Sequence, residues 1–232
     1  MSFQNNVAIV TGASRGIGFA VANELARLGY SLGLIARTKT GIESASKEIQ
    51  KQFPEVKMIY GAFDIADGIK VEEFVHQVSE KLGTVTVLVN NAGYYKQGTY
   101  SLPFDDVHRL IDTNYLAPVR FVNAVLPGMK KLGKGYIFNI ASLAGIEAFS
   151  GIGNYCASKF ALVGYSSSLA QELATSGIKV TVICPSWVNT SNAGDAPMKP
   201  DEMIQTGDLV LTIRYLLSLG KQACIREILI RC

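Results

Sequence analysis

The sequence predicts an α/β fold: a doubly wound, mostly parallel sheet flanked by helices, in a single domain over residues 1–232. Two observations predict it. Short, continuously apolar runs alternate with longer helical patterns, as in a parallel sheet covered on both faces. No linker, low-complexity tract or repeat divides the chain, and right-handed crossovers then wind the sheet in both directions. The 232 residues, 48% of them hydrophobic and 18% charged, supply one substantial core and show no sign of disorder.

The elements follow in order. Residues 7–11 form an apolar strand that ends in a glycine-rich turn. Residues 16–28 read as an amphipathic helix, with Ile17, Val21, Leu25 and Leu28 along one side. Strand 31–36 is apolar, and helix 40–53 is polar and stopped by Pro54. Strand 57–61, helix 67–82 and strand 85–89 come next. Residues 104–132 read as one long helix, or two joined at Asn114, that must accommodate Pro118 and Pro127. Strand 136–140, helix 154–175, strand 179–184, helix 207–218 and the short strand 227–230 complete the chain.

Several function classes recede at once. The net charge of +3 is small and dispersed, and no basic cluster is interleaved with aromatics, which argues against nucleic acid. No apolar run approaches the roughly 18 residues of a membrane span. The N-terminus enters a strand without a signal-peptide pattern. The four cysteines, Cys156, Cys184, Cys224 and Cys232, are scattered, so reduced thiols and a cytoplasmic location are expected. Cys156 reads as a small buried thiol. His76 and His108 lie apart in polar helical segments, and no metal site is expected.

The turn after the first strand reads TGASRGIG, with Gly12, Ser14, Arg15, Gly16, Ile17 and Gly18. Its glycines permit a tight turn, and the following helix N-terminus favours a pyrophosphate. The spacing is Gly-x3-Gly-x-Gly rather than the commoner Gly-x-Gly-x-x-Gly. At the end of the second strand stands Ala36-Arg37-Thr38, without the carboxylate that holds an NAD ribose. Arg37, with Arg15 opposite, suits a 2′-phosphate, so NADP(H) is the expected cofactor.

The stretch 141–159 carries the chemistry. Tyr155 and Lys159 are four apart at the start of a helix, one turn from each other on one face. A free phenol has a pKa near 10. A neighbouring ammonium is expected to lower it, and the Ser142 hydroxyl to hold a substrate oxygen against it.

With these residues in place, the chain resembles a short-chain dehydrogenase/reductase over essentially its whole length. TGASRGIG resembles the glycine motif, Asn90-Asn91-Ala92-Gly93 resembles NNAG, Ser142, Tyr155 and Lys159 fit Ser-x12-Tyr-x3-Lys, and Asn114 matches the fourth member of a catalytic tetrad. The resemblance implies a Rossmann fold and a set of roles. Tyr155 would be the general acid in reduction. Lys159 would lower its pKa and hold the nicotinamide ribose. Ser142 would bond the substrate oxygen, and Asn114 would hold a water in a relay to Lys159. Asp64 and Ile65 would meet the adenine, and Asn91, Ala92 and Gly93 would line the adenosine side. Pro185, Val188 and Thr190 would hold the nicotinamide. Tyr94, Tyr95, Leu143, Ala144, Phe149 and Trp187 flank the motifs and form the expected substrate pocket.

Two departures stand out. Pro185-Ser186 replaces the usual Pro-Gly, so Ser186 is expected to touch substrate. The stretch 191–199 is short for a lid, and little follows the last strand, which implies an open pocket and a minimal tail. The expected function is an NADPH-dependent carbonyl reductase acting on a ketone, aldehyde or 3-oxoacyl compound. The alternatives are a non-catalytic NADP-binding sensor or scaffold and an NAD-dependent alcohol dehydrogenase. A homodimer or homotetramer is implied by the resemblance alone.

Overall fold

The computed structural model describes residues 6–191, 193–194 and 196–232. Seven strands form one sheet: β1 (Val7–Thr11), β2 (Ser31–Ala36), β3 (Met58–Ala62), β4 (Val85–Asn90), β5 (Gly135–Ile140), β6 (Ile178–Pro185) and β7 (Glu227–Ile230). Their spatial order is β3-β2-β1-β4-β5-β6-β7, and every neighbouring pair is parallel. The expected doubly wound sheet is thus present and parallel throughout. Winding reverses between β1 and β4. In such sheets the crevice outside the strand C-termini at this reversal is where ligands bind.

Strand residues alternate between two layers, as period-two geometry requires. Ala8 and Val10 face α1 (Gly16–Arg27), α2 (Lys39–Gln52) and α7 (Thr206–Ser218). Val7 and Ile9 face α3 (Gly68–Leu82), α5 (Ala117–Leu132) and α6 (Gly153–Glu172). Both layers are apolar, so β1, β2 and β4 are buried nearly end to end. Each large aliphatic side chain so buried contributes about 1.5–3 kcal/mol.

Three elements differ from the sequence reading. Residues 104–132 divide into α4 (Phe104–Ile111), a π-helical turn at Asp112–Leu116, and α5. The π turn is closed by the Ala117 N–H donating to the Asp112 carbonyl. Pro118 follows at the start of α5, where its missing N–H costs α5 little. Helix α6 ends at Glu172 instead of 175, because Ser176 turns the chain by bonding the Leu173 carbonyl at 2.7 Å. A 3-10 turn, Leu143–Gly145, follows Ser142 and was not expected.

Of the stretch 191–199, Asn192 and Asp195 lie outside the described residues. Beyond it, the Ile204 N–H donates to the Trp187 carbonyl at 3.0 Å, and the Asn189 N–H donates to the Ile204 carbonyl at 2.8 Å. No helix among the described residues is long and apolar enough to cross a membrane.

Candidate active site

The crevice at the reversal is built around the glycine turn. Gly12 and Gly16 take left-handed φ values of +67° and +56°. A Cβ on Gly18 would lie 2.3 Å from the Gly12 carbonyl oxygen, so only glycine fits where α1 meets the turn. Arg15, the N-cap of α1, provides no side-chain cap, and no acid stands in the first turn. That helix end is therefore electropositive. Ser14 packs by the start of α2, where a Cβ on Gly41 would sit 3.3 Å from the Ser14 Cβ.

The NNAG segment is stitched to this turn by a residue the sequence reading missed. Thr11 Oγ1 accepts the N–H groups of Asn91 and Ala92, each at 3.0 Å. Asn91 Nδ2 donates to the Thr11 carbonyl at 2.9 Å and the Gly12 carbonyl at 3.4 Å. The Asn91 amide thus fixes the loop, while Ala92 and exposed Gly93 border the crevice. Thr11 carries the signal of a hydroxyl at the last strand position, but it reads as an ordinary β-branched strand residue.

Arg37 is exposed at the end of β2. Asp64 folds back to accept the Ala66 N–H at 3.0 Å, and Ile65 is buried beside it. Across the crevice, Thr190 meets the turn: a Cβ on Gly16 would lie 3.2 Å from Thr190 Cγ2. Val188 is buried and bridges to Ile204, and Pro185 closes β6. The turn, the NNAG loop and the segment 185–190 therefore surround one space.

Tyr155, Ser158 and Lys159 share one face of α6, and the last two are buried. The Ser142 hydroxyl lies close enough to the Tyr155 phenol to pull its pKa down. Ser142 Oγ also accepts the Ala144 N–H at 3.1 Å, which fixes the 3-10 turn carrying Leu143 and Ala144. Lys159 is 4% exposed and donates to the Ile140 carbonyl at 3.1 Å. Its Nζ stands 5.8 Å from the centre of the Tyr155 ring. Burial pushes the Tyr155 phenol up to about 12, with only the Ser142 hydroxyl pulling it down. Burial also lowers Lys159 to about 8. The expected lowering of the Tyr155 pKa by Lys159 is corrected: the ammonium lies toward the ring and bonds Ile140, while desolvation dominates the phenol.

Asn114 is 1% exposed on the π turn. Its Oδ1 accepts the Tyr94 N–H at 2.8 Å, and its Nδ2 donates to the Tyr94 carbonyl at 2.8 Å and to Ser158 Oγ at 2.9 Å. Ser158 Oγ in turn donates to the Tyr155 carbonyl at 2.7 Å. Ser158 is the second missed residue; its signal is the position three after Tyr155, on the same helix face. A Cβ on Gly93 would lie 3.5 Å from Asn114 Oδ1 and 3.7 Å from Lys159 Nζ, so the lysine and asparagine lie against the NNAG loop.

The expected pocket residues do not all converge. Tyr95 stands edge-on to Tyr155, with ring centres 5.1 Å apart. Phe149 and Trp187 are partly exposed, on the two segments flanking the site. Tyr94 turns its hydroxyl to α4, where it donates to Asp106 at 2.7 Å and Arg109 lies 4.6 Å over its ring. The Ser186 hydroxyl accepts the Cys232 N–H at 3.2 Å and meets the Cys232 Sγ at 3.0 Å. Cys156 is buried and unpaired in any disulfide, as expected.

A family model described as short chain dehydrogenase matches residues 6–200. The chain belongs to the short-chain dehydrogenase family. It is an oxidoreductase of that family. An uncharacterized oxidoreductase of Staphylococcus saprophyticus is 32% identical over 100% of this chain and 99% of its own. The crystal structure of a β-ketoacyl-[ACP] reductase from Bacteroides thetaiotaomicron is 40% identical and superposes with a TM-score of 0.87 over 98% of this chain and 97% of that one. A metagenomic short-chain oxidoreductase solved in complex with NADP is 31% identical, with a TM-score of 0.85 over 100% of this chain and 98% of that one.

Proposed function

We propose that this short-chain dehydrogenase is an NADPH-dependent carbonyl reductase that acts on ketones, aldehydes or 3-oxoacyl compounds. The observation that carries it is a half-buried tyrosine, Tyr155, whose phenol lies beside Ser142 and one helical turn from a buried ammonium, Lys159, next to the NNAG loop. The residues fit a dinucleotide. The N-cap residue of α1, Arg15, gives no side-chain cap, the first turn holds no acid, and a Cβ at Gly12 would lie 2.8 Å from Asn91 Nδ2. Gly12, Ser14, Arg15, Gly16, Ile17 and Gly18 would hold the pyrophosphate. Asp64, Ile65, Asn91, Ala92 and Gly93 would line the adenosine. Pro185, Val188 and Thr190 would hold the nicotinamide. Arg15 and Arg37 would pair with the 2′-phosphate, and the absence of an acid at the end of β2 favours NADP(H) over NAD(H).

When bound, the cofactor supplies the hydride. The protein supplies position and the proton. Ser142 orients the carbonyl oxygen, and Tyr155 donates its proton to that oxygen as charge develops there. With its pKa held high, the phenol is in the protonated form that reduction requires. Lys159 would hold the nicotinamide ribose hydroxyls with its ammonium. Asn114 offers its backbone carbonyl to a relay water, since its side-chain amide is committed to Tyr94 and Ser158. Pro118 has no N–H to give that carbonyl, the donor a regular α-helix would supply.

The 40% identity to a protein named as a β-ketoacyl-[ACP] reductase supports a 3-oxoacyl type of substrate. A homodimer or homotetramer, with α4, α5 and α6 between subunits, is supported by exposed Phe104 on α4 and Phe160 on α6. The test is NADPH oxidation against a panel of ketones, aldehydes, β-ketoacyl thioesters and quinones. Turnover of at least one class supports the reading. Tight NADPH binding with no turnover across the whole panel refutes it.

A further inference from the structure

We propose that the ion pair between Glu147 and Arg231 is a clasp that holds the two walls of the substrate mouth together, making both positioning residues for the substrate. This rests on the reductase reading for the identity of the mouth. The ion pair is direct and joins residues far apart in sequence. Glu147 ends the turn that Ser142 begins, with its N–H donating to the Leu143 carbonyl at 2.9 Å. Arg231 follows β7, whose last pairing sets Ile230 against Pro185 of β6. The ladder is completed by the Ser186 N–H donating to the Ile230 carbonyl at 2.9 Å.

Past that point the chain turns to the loops. The Cys232 N–H donates to Ser186 Oγ at 3.2 Å, and Cys232 Sγ lies 3.4 Å from Met198 Sδ. Arg231 and Cys232 therefore tie three segments: the turn after Ser142, the segment 185–190, and the stretch containing Met198. The first carries Leu143 and leads to Phe149; the second carries Trp187. On the reductase reading, these residues would face a substrate held by Tyr155 and Ser142.

The energetics fit a positioning role rather than a structural one. Arg231 and Glu147 side chains are 51% and 43% exposed. An exposed pair is weak and screened by salt, so it biases the position of the walls without holding the fold together.

The test uses Glu147→Gln, Arg231→Met and the charge-reversed double variant Glu147→Arg/Arg231→Glu, with ethyl acetoacetate and an acetoacetyl thioester as probes. Each single variant is expected to raise KM by about two- to fivefold, the range open to an exposed pair. The kcat and the NADPH affinity are expected to stay as in the wild type, and the double variant to restore KM. A second readout does not need turnover. Amide hydrogen exchange across residues 143–151, and labelling of Cys232 by a disulfide reagent in a Cys224→Ser background, are expected to accelerate in the single variants and recover in the double. Single variants with wild-type exchange and labelling, or a double variant that recovers neither, overturn the clasp. If the wild type reduces no probe, exchange and labelling alone decide the clasp, and the failure belongs to the reductase reading.

Discussion

Asn114 holds Tyr94 by both of that residue's backbone groups, accepting its N–H and donating to its carbonyl, each at 2.8 Å. A third bond runs to Ser158, and from there to the Tyr155 carbonyl. The π turn and the NNAG loop are thus linked directly to the helix that carries the phenol. Replacing Asn114 by Ala removes these bonds and leaves buried partners unsatisfied. The expected cost is about 2–3 kcal/mol. Chemical denaturation of the variant checks it, and a loss below about 1 kcal/mol would show that Asn114 is dispensable to the loop.

The glycine turn predicts a graded response. Gly18→Ala puts a Cβ 2.3 Å from a backbone carbonyl oxygen, which cannot give way as a side chain can. Gly16→Ala meets a Thr190 methyl at 3.2 Å and carries a left-handed φ of +56°. That conformation costs an L-residue about 1–2 kcal/mol. NADPH titration by fluorescence is expected to show a severe loss for Gly18→Ala and a smaller one for Gly16→Ala. The reverse order would mean that the turn relaxes independently of α1.

The dependence on pH follows from Lys159. Burial lowers its pKa to about 8, so the ammonium is present below that value and lost as pH rises through it. Tyr155, raised to about 12, stays protonated throughout. The kcat/KM for reduction is expected to be flat on the acidic side and to fall above a single ionisation near 8. A fall only near the ordinary phenol value would assign the limb to Tyr155 instead.

Cofactor choice is tested at Arg37. Arg37→Ala removes one charged partner of the 2′-phosphate. Charge-assisted bonds of about 1.5–3 kcal/mol predict a ten- to hundredfold weaker NADPH affinity, with NADH affinity unchanged. Equal weakening of both would place Arg37 away from the phosphate.

Much of this was legible in the sequence because burial writes it there. Strands β1, β2 and β4 are covered on both faces and so appear as unbroken apolar runs. The glycine turn is legible because its backbone tolerates no Cβ at Gly12 or Gly18. Tyr155 and Lys159 are legible because helical spacing aligns them. The rest depends on contacts between distant segments. Nothing local reveals that Ser186 bonds Cys232, 46 positions on. Tyr94 and Tyr95 are adjacent and aromatic, yet one turns to Asp106 and the other to Tyr155. The position of the Lys159 ammonium is set by the Ile140 carbonyl at the end of β5, a partner that spacing from Tyr155 does not disclose.

The central claim is that the Tyr155 hydroxyl delivers the proton, and Tyr155→Phe tests it most directly. The variant keeps the ring and its edge-on contact with Tyr95 while removing only the hydroxyl. Steady-state NADPH oxidation with the preferred carbonyl substrate is expected to drop by about 10²–10⁴-fold, the span of general acid catalysis. NADPH affinity is expected to stay as in the wild type. Turnover within a few-fold of the wild type would contradict the account and move the proton source to another group.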